Sequence, residues 1–349
     1  MTAPPADLLL GRPEFAGDLA EATRWLAGRR VLVTGAAGSV GTPLARLIAG
    51  AAPERLVLLD HHEYSLFGLE RALGSGVAEY ELADVRDHGR MAHIVETYRP
   101  DTVFHLAAAK HVPYGERFPE GAVATNVVAT LDFLRFAQHA DVERFVYPSS
   151  DKSVNPPALY GATKRIVEAL VQALAGERRW SIVRYVNIIG TRGSVIEVFA
   201  NQIQDNRALS VTDERMTRYW ISMDEALWSV LQTARCALPG QVLMPDCGAP
   251  VPLLDTARRL ARFYRPEQDP YPISTTGIRP GERLHEVLLS DNESFAPGPA
   301  VGLRLVTSRR APDRLDGLEQ TVDELRELVA CGRRDELRQR CLTLAERLQ

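Results

Sequence analysis

The chain has 349 residues, of which 45% are hydrophobic and 25% charged, and a formal net charge of −4. That balance describes a globular protein of one large or two coupled domains, whose core needs no disulfide or metal staple. It excludes a dedicated nucleic-acid binder, whose surface would be basic. No apolar run approaches the ~18 residues of a membrane span and the start, 1–10, lacks the pattern of a secretory signal, so a cytoplasmic protein without membrane insertion is expected. Cys236, Cys247, Cys331 and Cys341 are scattered and form no C-x-x-C pair. They read as reduced thiols, and no metal site is expected.

Residues 1–28 read as an extension, punctuated by proline and carrying a short helix over 18–26. The apolar β-branched run Arg30-Val31-Leu32-Val33-Thr34 then predicts a buried parallel strand. Helical spacing follows over 40–51, a second strand over 56–60, a helix over 64–73 and a polar strand over 79–84. Next come a helix over 91–98, a strand over 102–107, a helix over 123–139 and a strand over 144–148. A long helix over 160–175 and a strand over 181–186 complete the series. This alternation predicts a Rossmann-type doubly wound parallel sheet in an NAD-binding domain over 29–190, with a smaller C-terminal α/β substrate domain. After Gly190 the rhythm breaks. Short strands over 209–212 and 242–244 and a helix over 223–237 place the substrate domain over 191–312, with 223–245 returning to the first domain. Residues 313–349 are highly charged, with apolar positions at helical spacing. They predict one or two amphipathic helices docked at a place the spacing does not specify.

Thr34-Gly35-Ala36-Ala37-Gly38-Ser39-Val40-Gly41 places glycines directly after a strand and before a helix. Glycine allows the tight turn and lets backbone amides approach a pyrophosphate, to which the helix start adds donors and partial positive charge. Asp60 ends the next strand 19 residues beyond Gly41. A carboxylate there fits ribose hydroxyls and repels a 2′-phosphate, selecting NAD over NADP; a plain helix cap is the alternative. His61 and His62 have no accompanying ligand set and read as loop residues. Further on, Ser149-Ser150-Asp151-Lys152 sits immediately after the strand over 144–148, at the sheet end that faces the ligand crevice. Tyr160 and Lys164 are spaced i, i+4 and share a helix face. A lysine beside a phenol, with a nicotinamide cation near, lowers the phenol's pKa toward base work. An ordinary surface Tyr/Lys pair is the alternative when that motif stands alone.

In these motifs the sequence resembles the extended short-chain dehydrogenase/reductases, and among them the nucleotide-sugar 4,6-dehydratases of polysaccharide biosynthesis. It is most similar to the inverting UDP-N-acetylglucosamine 4,6-dehydratases. The resemblance covers nearly the whole chain: TGAAGSVG (34–41), LLDHHEYSLFGLE (58–70), ADVRD (83–87), FHLAAAKHVP (104–113), TNVVAT (125–130), SSDKSVNPPALYGATK (149–164), RYVNIIGTRGSV (184–195), VTDERMTRYW (211–220) and TGIRPGERLHEVL (276–288). The Asp-Lys pair ahead of the tyrosine is the most telling element, since related C5-retaining dehydratases carry Asp-Glu there. The opening DLLLGRPEFAGDL resembles the cytoplasmic portion of large membrane-bound members, without their membrane part. Many of those carry methionine where Tyr160 stands here.

The resemblance implies roles. Tyr160, supported by Lys164, takes the proton of the sugar 4-hydroxyl as hydride passes from C4 to NAD. Lys152, partly neutral, removes the hydrogen on C5, and Asp151 protonates the departing 6-hydroxyl. Ser150 bonds the 4-oxygen or is a plain loop hydroxyl. Lys110, Asn187, Arg192, Arg218, Arg279 and Glu282 hold the nucleotide-sugar, a UDP-sugar by this resemblance. A Pro-Gly bend with solvated charges remains open for the 279–282 turn. Asp84 and Val85 flank the adenine, and Ala107 and Ala108 let the backbone lie close to the cofactor. Helices 125–139 and 160–175 form the dimer interface of similar enzymes, so a homo-oligomer is expected.

Four departures touch the sugar side. Val186 replaces a glycine, Pro157-Ala158 replaces more polar residues, Ala109 a larger side chain, and Asn206-Arg207-Ala208 a Gly-Gly segment. Three functions stay open. One is a C5-inverting 4,6-dehydratase acting on UDP-N-acetylglucosamine. Another is a variant that stops at a 5,6-ene or only epimerises C4. The third is a silent NAD-sensing module, which the intact Tyr/Lys pair and glycines disfavour.

Overall fold

The structure, a computed structural model, describes residues 4–15, 17–74, 76–278, 281–309 and 317–349. Nine strands form its main sheet. They are β1 (Arg30–Thr34), β2 (Arg55–Asp60), β3 (Glu79–Leu82), β4 (Thr102–His105), β5 (Arg144–Ser150), β6 (Arg179–Tyr185), β7 (Val242–Pro245), β8 (Glu293–Pro297) and β9 (Leu303–Ser308). Their order is β8-β9-β7-β6-β5-β4-β1-β2-β3. β1 to β7 run parallel, and β8 and β9 close one edge antiparallel. Val31, Leu32 and Val33 of β1 are fully buried, as a central strand covered on both faces requires. From β1 the chain builds outward first through β2 and β3, then through β4 to β6 on the other side. A crevice therefore opens beyond the carboxyl ends of β1 and β4.

Most predicted elements are present with ends moved by a few residues. The predicted helix over 123–139 is interrupted: Pro119–Val123 and Ala129–His139 flank a π-turn, Ala124–Val128. That turn swings Asn126 inward, where its amide bonds Ala109 in both directions and donates to Thr163. The helix Met223–Cys236 packs against β5 and β6, and β7 enters the main sheet. The 293–308 segment, assigned from sequence to the substrate domain, instead extends the large sheet. Its hairpin pairs with the open edge of β7, a partner that local alternation does not name.

A second apolar cluster gathers Ile196, Phe199, Ile203, Leu209, Val211, Met216, Trp220, Leu253 and Leu260. Leu9 and Leu10 of the short helix Ala6–Leu10 are buried in it, so the amino-terminal extension is packed into the body. Arg12 fixes it there through two bonds to Glu225, at 2.6 and 2.9 Å, while Glu225 caps the helix Met223–Cys236 together with Ser222.

The charged tail forms two helices, Leu318–Ala330 and Arg334–Arg347. Val322, Leu325, Leu337, Cys341 and Leu344 join the main core. The tail packs on the helix Leu159–Leu174 and on the 119–128 segment, and Arg326 binds Asp132 of the next helix at 2.7 and 2.9 Å. These are the helices on which the resemblance placed a partner subunit. Here the chain's own tail packs against them through its apolar stripe. Among the described residues no helix is long and apolar enough to cross a membrane.

Candidate active site

The carboxyl ends of β1, β4, β5 and β6 and the 281–287 segment enclose a cleft of about 940 Å³. At one end lies the glycine loop. Gly35 has φ +66°, and a Cβ there would meet the Ala107 nitrogen at 2.8 Å; a Cβ on Gly41 would run into the carbonyls of Gly35 and Ala36. The helix Gly41–Gly50 starts at Val40 without a side-chain cap, and Gly38, Ser39, Val40 and Gly41 line the cleft. Bare backbone and an uncapped helix start make a cradle for a phosphate anion, so these residues fit a dinucleotide.

The other expected cofactor residues surround this cradle. Thr34 is buried and hydrogen-bonded to His105, and Ala107 donates to its hydroxyl. Ala108 lines the cleft. Asp60, at the end of β2, accepts the Ala37 N–H and the His62 N–H, both at 3.0 Å. It thereby fixes the phosphate loop against β2. Asp84 and Val85 follow β3; Val85 is buried, and Arg86 holds the Asp84 carboxyl below its ordinary range through a charge-assisted bond. Neither faces the cleft itself.

The catalytic candidates converge at its floor. Asp151 is 2% exposed at the end of β5. Its Oδ1 accepts from Ser150 Oγ at 2.7 Å and from Lys152 Nζ at 3.1 Å. Burial and the nearby Glu286 carboxylate push the Asp151 carboxyl well up, toward the protonated acid. Tyr160 lies in reach of Ser150, and Lys164 Nζ is 6.0 Å from the phenol ring. Lys164 donates to the Pro148 carbonyl at 2.8 Å and sits over the Tyr147 ring at 4.5 Å.

Two electrostatic expectations are corrected. Burial raises the Tyr160 phenol, and the cation that partly offsets this is Lys152, whereas Lys164 is itself drawn down to about 7 by burial. Lys152 was expected to be partly neutral. Burial does pull it down, but Asp151 and Glu286 together win and hold it firmly charged.

Glu286 is the residue that motif reading missed. Its side chain is 6% exposed, and its Oε1 accepts from Lys152 Nζ at 2.7 Å. No spacing could have pointed to it, since 134 residues separate it from Lys152. Asn187 donates to Glu286 Oε2 at 2.8 Å, and Arg218 Nε stands 3.5 Å from Oε1. Both therefore hold Glu286 in place as well as lining the cleft.

Lys110 and Arg192 stand at the opposite rim. Lys110 donates to the Arg192 carbonyl at 2.7 Å, and burial with the Arg192 charge lowers its ammonium pKa. Arg192 reaches the phosphate loop, bonding the Ala37 carbonyl and Ser39 Oγ. Glu282 lines the cleft, while Arg279 lies outside the described residues. Of the departures, Val186, Pro157, Ala158 and Ala109 all line the cleft; 206–208 does not.

Comparison with known proteins agrees with this geometry. The profile of the family described as "Polysaccharide biosynthesis protein" matches residues 31–300. The chain is 38% identical over 298 residues to the "Probable polysaccharide biosynthesis protein EpsC" of Bacillus subtilis, covering 83% of this chain and 50% of that protein. It thus spans about half the length of that relative. It is 33% identical over 274 residues to a "UDP-N-acetylglucosamine 4,6-dehydratase (inverting)" of Campylobacter jejuni, covering 76% of this chain and 79% of the relative. Among solved structures it superposes on Pen from Bacillus thuringiensis with a TM-score of 0.75 and 27% identity, covering 81% of this chain and 89% of that one. With the glycine cradle, the Tyr160/Lys164 pair and the Asp151-Lys152 loop set in one cleft of a doubly wound sheet, the chain belongs to the polysaccharide biosynthesis family of extended short-chain dehydrogenase/reductases.

Proposed function

We propose that the chain is an NAD-dependent nucleotide-sugar 4,6-dehydratase that acts on UDP-N-acetylglucosamine with inversion at C5. The observation that carries this reading is the contact of buried Asp151, whose carboxyl burial and Glu286 push up, with Lys152 at 3.1 Å, in one cleft with Tyr160. An elimination needs both an acid for the leaving hydroxyl and a base for the adjacent hydrogen. The relative named as an inverting UDP-N-acetylglucosamine 4,6-dehydratase supports the substrate.

Thr34, the loop from Gly35 to Gly41, Asp60, Asp84, Val85, Ala107, Ala108 and Lys164 would hold NAD, which when bound supplies the hydride acceptor for C4 and the hydride donor for C6. Lys110, Arg192 and Arg218 supply cationic donors for the diphosphate, and Asn187 and Glu282 supply further polar contacts. Tyr160 receives the proton of the 4-hydroxyl, with Ser150 orienting the phenol. The 4-ketone makes the C5 hydrogen acidic, and Lys152 removes it once its amine is free. Asp151 gives its proton to the 6-hydroxyl, which departs as water.

The test is product NMR after incubation with UDP-N-acetylglucosamine and NAD in deuterated water. A 4-keto-6-deoxy sugar with deuterium on C5, and with the original C4 hydrogen on C6, is expected. A 5,6-ene or a C4 epimer would replace the reading with those reactions, and no turnover of any nucleotide-sugar would overturn it.

A further inference from the structure

A lysine ammonium has three N–H donors, and those of Lys152 face three acceptors. These are Asp151 Oδ1 at 3.1 Å, Asn187 Oδ1 at 3.3 Å and Glu286 Oε1 at 2.7 Å. So arranged, the nitrogen has no lone pair to offer a substrate. One proton must leave before it can act as a base. The Asn187 amide cannot take it, and Asp151 must keep a proton of its own for the departing hydroxyl. Glu286 makes the shortest of the three contacts and has its other oxygen anchored by Asn187 Nδ2 at 2.8 Å.

We propose that Glu286 is the positioning residue of the elimination, aligning Lys152 and Asp151 and accepting the proton that Lys152 sheds before it takes hydrogen from C5. This inference rests on the dehydratase reading above. The step balances. Lys152 ammonium and Glu286 carboxylate become amine and carboxylic acid. The amine takes the C5 proton, the C5–H electron pair forms the C5–C6 double bond, and the C6–O bond breaks. Asp151 protonates that oxygen, which leaves as water. Asp151 is then ionised and Glu286 protonated, and the proton passes from Glu286 to Asp151, whose Oδ2 is buried without another hydrogen-bond partner.

The titratable and charged groups facing this cluster are Asp151 and Lys152 from the turn after β5, Tyr160 from the helix Leu159–Leu174, Arg218 and Tyr219 from the 217–221 segment, Cys247 after β7, and Arg283 beside Glu286 itself. The cations Lys152 and Arg218 hold Glu286 ionised at rest, while Asp151 is pushed up beside it. The cluster thus rests with one proton on Asp151 and one to pass from Lys152.

Glu286→Gln, made in the full chain, tests this beside the wild type. The variant should bind NAD and nucleotide-sugar normally and still oxidise C4, seen as transient reduced nicotinamide. Its elimination should slow by about 10²-fold or more, the usual worth of a placed proton-transfer group, and Glu286→Asp should recover about tenfold of that. Without cofactor or sugar, labelling of Lys152 by acetic anhydride at neutral pH should be about tenfold faster in Glu286→Gln, because losing the anion frees the amine. Unchanged elimination and unchanged labelling would overturn the proposal. So would equal losses in cofactor binding, C4 oxidation and elimination, which would mark a merely structural role. A wild type that dehydrates normally beside such a variant leaves the dehydratase reading standing. A wild type that dehydrates no nucleotide-sugar overturns both.

Discussion

Arg192 Nη2 donates to the carbonyl of Ala37 across 2.6 Å, and the Arg192 N–H donates to Ser39 Oγ at 3.0 Å. The loop after β6 is thereby fastened to the glycine loop after β1, and Lys110 grips the same residue through its carbonyl. Binding at one end of the cleft should therefore be felt at the other. Arg192→Ala should weaken both NAD and nucleotide-sugar, each by roughly tenfold, as befits loss of a part-exposed charged hydrogen bond. Calorimetric titration of each ligand checks this, and a loss confined to one of them would refute the coupling.

Tyr160→Phe removes one hydroxyl from a half-buried ring that lines the cleft. Folding and cofactor binding should be nearly unchanged, while turnover falls by about 10²–10⁴, the contribution of a positioned acid–base group. Steady-state kinetics with a thermal melt decides it. Near wild-type turnover would move the first proton transfer to another residue.

Asp60 spends one oxygen on the Ala37 N–H of the glycine loop and the other on the His62 N–H just after β2, so its carboxylate is fixed at the end of β2. A 2′-phosphate placed beside it would meet uncompensated negative charge. The protein should prefer NAD over NADP by at least about tenfold. Parallel fluorescence titrations measure the ratio, and a preference for NADP would contradict the assignment.

Burial lowers Lys164 to about 7. In the unfolded chain its amine titrates near the ordinary lysine value, so between those two pH values the unfolded state binds the extra proton. Stability arising from this group therefore rises with pH through that window, and the penalty for burying the cation is fully present below it. Lys164→Met removes the penalty. Its melting temperature, compared with wild type, should gain most at pH 6 and progressively less toward pH 10. A difference independent of pH would show that Lys164 is not neutralised by the fold.

Glu168 is fully buried and binds Arg184, itself fully buried, at 2.8 Å, along with Arg165 and Ser153 Oγ. Ser153 directly follows Lys152, so this network holds the back of the catalytic loop. Glu168→Ala leaves the Arg184 guanidinium with Glu293 as its remaining carboxylate and should cost about 3–5 kcal/mol in denaturant unfolding, as breaking a buried ion pair does. A cost below ~1 kcal/mol would show that Glu293 alone satisfies Arg184.

The sequence by itself determined the central sheet and the chemistry at its edge. Val31–Val33 and the run ending at Asp60 could only be buried strands, and glycines at 35, 38 and 41 had to turn there because a Cβ would collide with neighbouring backbone. Asp151, Lys152, Tyr160 and Lys164 were legible because they lie within fourteen residues, where strand end and helix repeat fix relative position. Tertiary structure alone decided which charges meet. Glu286 approaches Lys152 across a sequence separation of 134 and reverses the expected state of that lysine, since ionisation depends on every charge and every lost water nearby. The same holds for the tail: its helical period announced an apolar stripe, but only the packed core shows Val322, Leu325 and Leu344 joined to the main core. Periodicity is a local property of the backbone; the partner of a buried face, or of a buried charge, is fixed by which surfaces the whole chain brings together.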